Sequence, residues 1–187
     1  VVDTFENGLD FIEQYDDNPN LITFLGSSFG NFNQNEGLEF LTKISKLMSS
    51  DDLFLIGLDL KKDLKVLHNA YNDSQNVTSK FNLNVLQRMN EELGANFMLD
   101  SFEHHAIYND KKGRIEMYLR SLVNQSVKIP KADLSISLCK DELIHTENSH
   151  KFTITQIEST LNKSGFKKLE IWFDSRKYFA LILAKKF

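Results

Sequence analysis

Chemistry-bearing side chains cluster in a few stretches of this 187-residue chain. The first is Gly26-Ser27-Ser28-Phe29-Gly30-Asn31, which follows the apolar run Leu21–Leu25. Gly26 and Gly30 are expected to take positive φ and let a ligand approach the backbone. Ser28 and Asn31 add a hydroxyl and an amide at the same place. A plain strand-to-helix turn would read the same way. Tyr71 shares a helical face with Leu64 and Leu67, so its phenol is either a ligand contact or an ordinary core group. Met117 alternates with Ile115 in a strand, where core packing is the usual fate of a methionine. Glu147 and Ser149 stand one residue apart, which puts both on one side of a strand. A solvated strand face would have the same pattern. The five histidines show no metal-ligand spacing, and His104 and His105 would point to opposite faces of a strand. Cys139, the one cysteine, reads as a core residue on an apolar strand. Asn76-Val77-Thr78 fits a glycosylation pattern, but nothing beside it suggests secretion.

Composition sets the class. An apolar fraction of 41% with 15 Phe describes a chain that buries a core. With 22 Lys and Arg against 26 Asp and Glu, the net charge of −4 argues against a nucleic-acid groove. No apolar run reaches the roughly 18 residues of a membrane helix. A single cysteine cannot form an internal disulfide, so a cytoplasmic location is expected.

The elements that must position these residues follow an α/β pattern. Leu21–Leu25 reads as a buried strand of a parallel sheet, whose carboxyl end carries the ligand loop. Asn33 to Glu36 reads as a capping box opening a helix with Leu38, Leu41, Ile44, Leu47 and Met48 on one face. Asp52–Asp59 is a second apolar strand, completing a strand-helix-strand unit. Helices are expected over 61–72 and over 77–93. The second carries Phe81, Val85, Leu86, Met89 and Leu93, with Gly94 as its C-cap. Short strands follow at 102–108, 115–123, 126–129 and 134–138. A helix capped by Thr153 and two strands, 166–174 and 178–185, close the chain. Gly8–Tyr15 has helical spacing. This divides the chain into a core (1–60), an inserted α+β subdomain (61–151) and a returning core segment (152–187). The fold class is α/β, the C-terminal half of a Rossmann-like sheet with an insertion.

Six blocks give a more specific reading: FLGSSFGNF (24–32), LIGLDLKKD (55–63), AYND (70–73), FNLNVLQRMNEELGANF (81–97), GRIEMYL (113–119) and HTENSHKF (145–152). In these blocks the chain resembles the histidine-specific Nα-methyltransferases of ergothioneine biosynthesis, class I enzymes that use S-adenosylmethionine. The resemblance implies methylation of the α-amino group of L-histidine to trimethylhistidine. It implies that Gly26, Ser28 and Asn31 hold the amino and carboxylate groups, and that Tyr71 binds the same carboxylate. Met117 would line the side-chain pocket, and Glu147 and Ser149 would grip the imidazole. No residue is assigned as catalytic, and no metal is implied.

Such chemistry suits these residue types. Methyl transfer needs a neutral amine aligned with the methyl carbon, and positioning can supply several kcal/mol of the barrier, about 7 at the low end for well-oriented groups. A carboxylate favours an imidazole that donates to it, and a hydroxyl completes the pair. The chain departs from the family in lacking a glycine-rich loop and the acidic residue that follow the family's first strands. Thr4-Phe5 falls where the family contacts the adenine, with Thr in place of an acid. The expectation is therefore a C-terminal portion of a longer enzyme, incomplete and inactive alone, with the cofactor site mostly elsewhere. Strand Leu21–Leu25 would be covered by residues not in this sequence, by another chain or by a rearranged N-terminus. The alternatives are an Nα-methyltransferase for another amino acid such as tryptophan, and a non-catalytic fragment.

Overall fold

A computed structural model describes Gly8 and residues 19–187. Thr4, Phe5 and, apart from the helical Gly8, the helix expected over Gly8–Tyr15 lie outside the described residues. In chain order the elements are β1 (Leu21–Phe24), α1 (Gln34–Leu47), β2 (Leu53–Asp59), α2 (Leu64–Tyr71), α3 (Val77–Leu93), β3 (Phe102–Asn109), β4 (Arg114–Ser121), β5 (Gln125–Ile129), β6 (Leu134–Leu138), β7 (Leu143–His150), α4 (Ile154–Lys163), β8 (Phe166–Phe173) and β9 (Phe179–Lys186). Short 3-10 turns lie at Ser28–Asn31, Leu99–Ser101 and Pro130–Ala132. The chain forms two compact units, residues 1–61 with 150–187, and residues 62–149.

The first unit carries a four-stranded sheet in the order β1-β2-β9-β8. β1 and β2 are parallel, from Leu21 opposite Leu53 to Phe24 opposite Ile56. β9 runs antiparallel to both of its neighbours, so the sheet is mixed. Alternation along the strands sends Ile22, Phe54, Ile56, Leu58, Ile182 and Phe166 into one core with Leu41 and Ile44 of α1 and Ile157 and Leu161 of α4. A capping box opens α1 as the sequence predicts, and another opens α4, where only a Thr153 cap is expected. The Asn33 side chain accepts from the Asn35 and Glu36 amides while Glu36 accepts from the Asn33 amide. Thr153 and Gln156 do the same for α4.

One expectation here fails in part. The run Leu21–Leu25 is not buried throughout: Ile22 faces the core, whereas Leu21 and Leu25 are exposed. Side chains alternate along this run, so Leu21, Thr23 and Leu25 share one face, which is exposed, while Ile22 and Phe24 share the face that meets the core.

In the second unit, β3 pairs antiparallel with β4, which β7 flanks on its other side. β5 and β6 form a separate hairpin rather than part of one sheet. Helix α3 packs Leu86 into a core with Phe97, Phe102, Leu119, Val127 and Ile129. Phe81 and Val85, expected on the same buried face, are exposed instead. The buried stripe of α3 runs through Asn82 and Leu86, one position around the helix from Phe81 and Val85. Cys139 is likewise exposed, because it lies just past the end of β6.

Candidate functional site

In the first unit the site residues sit on the turn that leaves β1. Gly26 takes φ 89°, as expected, but Gly30 does not take a positive φ. Gly30 is folded into the 3-10 turn, and the second left-handed residue is Ser27 at φ 63°. This places Phe29 and Gly30 inward and leaves Gly26, Ser28 and Asn31 exposed at the carboxyl end of the strand. Phe29 is the anchor. Its ring lies 5.7 Å from that of Phe152 and 5.9 Å from that of Phe32. It also rests on Gly37 of α1, where an added Cβ would stand 3.0 Å from the ring tip. The turn has a second tether: Nδ1–H of His150 donates to the Gly30 carbonyl at 2.9 Å. A carbonyl only accepts, so the His150 proton is on Nδ1.

In the second unit Tyr71, Met117 and Ser149 come together. The Tyr71 hydroxyl donates to Ser149 Oγ at 2.8 Å across 78 residues of sequence. Ser149 is buried, and its Oγ, like any hydroxyl, can also donate. Met117 is buried in a cluster with Leu67, Ala106 and Ile115, against which Tyr71 and Tyr108 pack. Glu147 is half-buried, two residues before Ser149 on β7.

Polar residues that the sequence reading left aside hold this arrangement. Asn72 Nδ2 donates to the Ala106 carbonyl of β3, at 3.3 Å. The Asp73 carboxylate accepts from the amides of Thr78 and Val77 at 2.9 Å each, which holds it down at a pKa of about 2. The AYND block thus joins one ligand-type residue to two that fasten the helix ends. His104 bridges Asn82 and the Tyr71 carbonyl. Asn82 could have been found from the sequence: it lies four residues before Leu86 on the apolar side of α3, where a polar residue needs a partner.

On β4, Glu116 is buried. Burial alone would raise its pKa, but hydrogen bonds from Arg114, Tyr118 and Asn109 outweigh it and pull it down to about 2. Burial and the bond to Glu116 push the Tyr118 phenol up. This cluster is internally satisfied and is a structural feature of the β3–β4 ribbon. Among the described residues no group of His, Cys, Asp or Glu could hold a metal ion, and no helix is long and apolar enough to cross a membrane. A void among Phe29, Leu41, Ile56, Leu58, Phe152 and Leu161 is lined almost wholly by apolar core groups and has no ligand chemistry.

The chain is similar to several known proteins. The family described as histidine-specific methyltransferase, SAM-dependent, matches residues 1–186. The chain is 39% identical over 164 residues to the histidine N-alpha-methyltransferase of Mycolicibacterium smegmatis, which covers 88% of this chain and 51% of that protein. It is 26% identical over 188 residues to the L-tryptophan methyltransferase of Psilocybe serbica, covering 96% of this chain and 52% of that protein. The chain therefore spans about half the length of these relatives. A solved S-adenosylmethionine-dependent methyltransferase of Clostridium acetobutylicum is similar with a TM-score of 0.47 and 12% identity, over 94% of this chain and 62% of that one.

Proposed function

The chain belongs to the family of histidine-specific, S-adenosylmethionine-dependent methyltransferases, and from that premise we propose that the protein carrying it methylates the α-amino group of L-histidine to trimethylhistidine. This chain supplies most of the amino-acid site. The methyl donor brings an electrophilic methyl group on a sulfonium. Thr4 and Phe5 are the proposed contacts to that donor within this chain.

The chain's own work is binding and alignment. Gly26, Ser28 and Asn31 hold the amino and carboxylate groups of histidine, and the Tyr71 phenol binds the carboxylate. An amide and hydroxyls can hold a carboxylate without a cation beside the amine. The amine must be neutral to attack, with its lone pair directed at the methyl carbon. Glu147 accepts an N–H from the imidazole, and Ser149 completes the grip on the ring. Met117 closes the ring pocket on its apolar side. Buried partners of this kind reject a side chain that cannot pair with them.

The observation that carries the reading is the hydrogen bond from Tyr71 to Ser149. Two residues far apart in sequence, assigned to the two ends of one small amino acid, are joined directly. The reading also takes the protein to be cytoplasmic, with neither nucleic acid nor membrane as partner. It has the outer edge of β1 covered by protein beyond this chain.

The test is a panel of free amino acids offered with labelled methyl donor, the product being identified by mass. Histidine as the preferred acceptor, modified on its α-nitrogen, supports the reading. Preference for tryptophan would favour the second reading, which the 26% identity to the Psilocybe enzyme keeps in view. Transfer to a ring nitrogen would contradict both.

A further inference from the structure

We propose that His104, oriented by Asn82, is a positioning residue that sets where the Tyr71 phenol stands. The proposal rests on the reading of Tyr71 as a substrate contact. Asn82 is buried on α3, and its Nδ2 donates to the Tyr118 carbonyl at 2.9 Å. That carbonyl accepts only, so the amide orientation is fixed and the nitrogen is the atom that also faces His104 Nδ1, at 2.9 Å. His104 Nδ1 must then accept, and the ring carries its proton on Nε2. Nε2–H points at the Tyr71 carbonyl, 2.8 Å away. Tyr71 is the last residue of α2, where carbonyls have no partner within the helix. The histidine therefore caps that helix end and fastens it to β3, and Asn72 adds a second stitch to the Ala106 carbonyl.

The chain of contacts runs from α3 through the imidazole to the Tyr71 backbone, and from its phenol to Ser149 Oγ, at 2.8 Å. A tyrosine has only two side-chain torsions. Its hydroxyl position is thus set mainly by where the backbone and ring are held. A shift of the helix end by a fraction of an ångström would move the phenol by a similar amount, and binding groups tolerate little of this. The ring of His104 touches no substrate in this account. It acts through Tyr71.

Steady-state kinetics of the enzyme carrying this chain test the proposal. His104→Phe keeps the ring volume and loses both hydrogen bonds. It should raise the KM for histidine about tenfold, with kcat and the KM for the methyl donor changed less than about twofold. His104→Gln, whose amide can donate from nearly the Nε2 position, should return the KM to within about twofold of the parent. In a Tyr71→Phe background, where the phenol is gone, His104→Phe should add little. If His104→Phe does not fold, Asn82→Ser takes its place, because it removes the orienting amide and keeps the imidazole. Three results overturn the proposal alone: an unchanged KM in His104→Phe, no recovery in His104→Gln, or a full tenfold loss repeated on top of Tyr71→Phe. An unchanged KM in Tyr71→Phe itself overturns the reading of Tyr71 as a substrate contact, and the proposal with it.

Discussion

Ser149 shows how much depends on one hydroxyl. It accepts the Tyr71 proton while buried, so its removal leaves a phenol without that acceptor. Ser149→Ala should cost on the order of 1 kcal/mol of stability, as lost side-chain hydrogen bonds commonly do. It should also raise the KM for histidine severalfold, read by melting temperature and initial rates on the same preparation. Glu116 gives a residue-scale prediction about pH. Its carboxyl falls from an ordinary 4.5 to about 2 because the bonds from Arg114, Tyr118 and Asn109 outweigh its burial. A depressed folded-state pKa adds stability that is fully present above the unfolded value and lost as pH falls through the folded one. Stability should therefore decline between about pH 4.5 and pH 2, and Glu116→Gln should flatten that decline in denaturant titrations across the range. At this scale the sequence reading was uneven. Ser28 and Asn31 lie on the turn after β1 where the sequence places them, whereas β7, which carries the buried Ser149, is a strand that the sequence reading does not contain. The assignment of Gly30 to positive φ did not survive, because two glycines near a turn do not reveal which neighbour takes the left-handed conformation. Cys139 was misplaced for a similar reason: one residue past a strand end changes burial completely.

The elements were more legible than their faces. Capping boxes at Asn33 and Thr153 and the stop at Gly94 rest on local backbone chemistry, which a single sequence carries in full. The orientation of α3 does not. Its apolar residues run most of the way round, and only packing decides that Leu86 is covered while Phe81 and Val85 face out. Helix α1 has a tertiary role hidden in Gly37. A glycine inside a helix costs about 1 kcal/mol relative to Ala. Here its missing Cβ leaves room for the Phe29 ring. Gly37→Ala should improve helix propensity yet push Phe29 and the turn that carries Ser28 and Asn31. The expected outcome is little change in melting temperature with a raised KM for histidine. A gain in stability with unaltered KM would show that the ring can move without disturbing the turn. At the other end of the ligand set, Asp73→Ala removes two bonds to the first turn of α3. A lower melting temperature is expected, as for a lost N-cap.

At the scale of the molecule, each unit has its own core. One core is built on Phe54, Phe166 and Ile182 and the other on Leu86, Leu119 and Val127. Amide hydrogen exchange should find two protected regions, centred on β2 with β9 and on β4, with β8 exchanging faster as an outer strand among the described residues. The alternation of strand, helix and strand made the first unit readable from the sequence. The hairpin β5–β6 could not be separated from the three-stranded sheet, because pairing partners are set by long-range contacts that periodicity does not encode.

Recognition of an imidazole by a carboxylate is the claim on which the functional account stands. The direct measurement is competition between histidine and tryptophan for methyl transfer, comparing the parent enzyme with Glu147→Ala. The account predicts that the preference for histidine falls by at least about tenfold in the variant, because the ring then lacks its acceptor. A preference that is the same with and without the Glu147 carboxylate would contradict it.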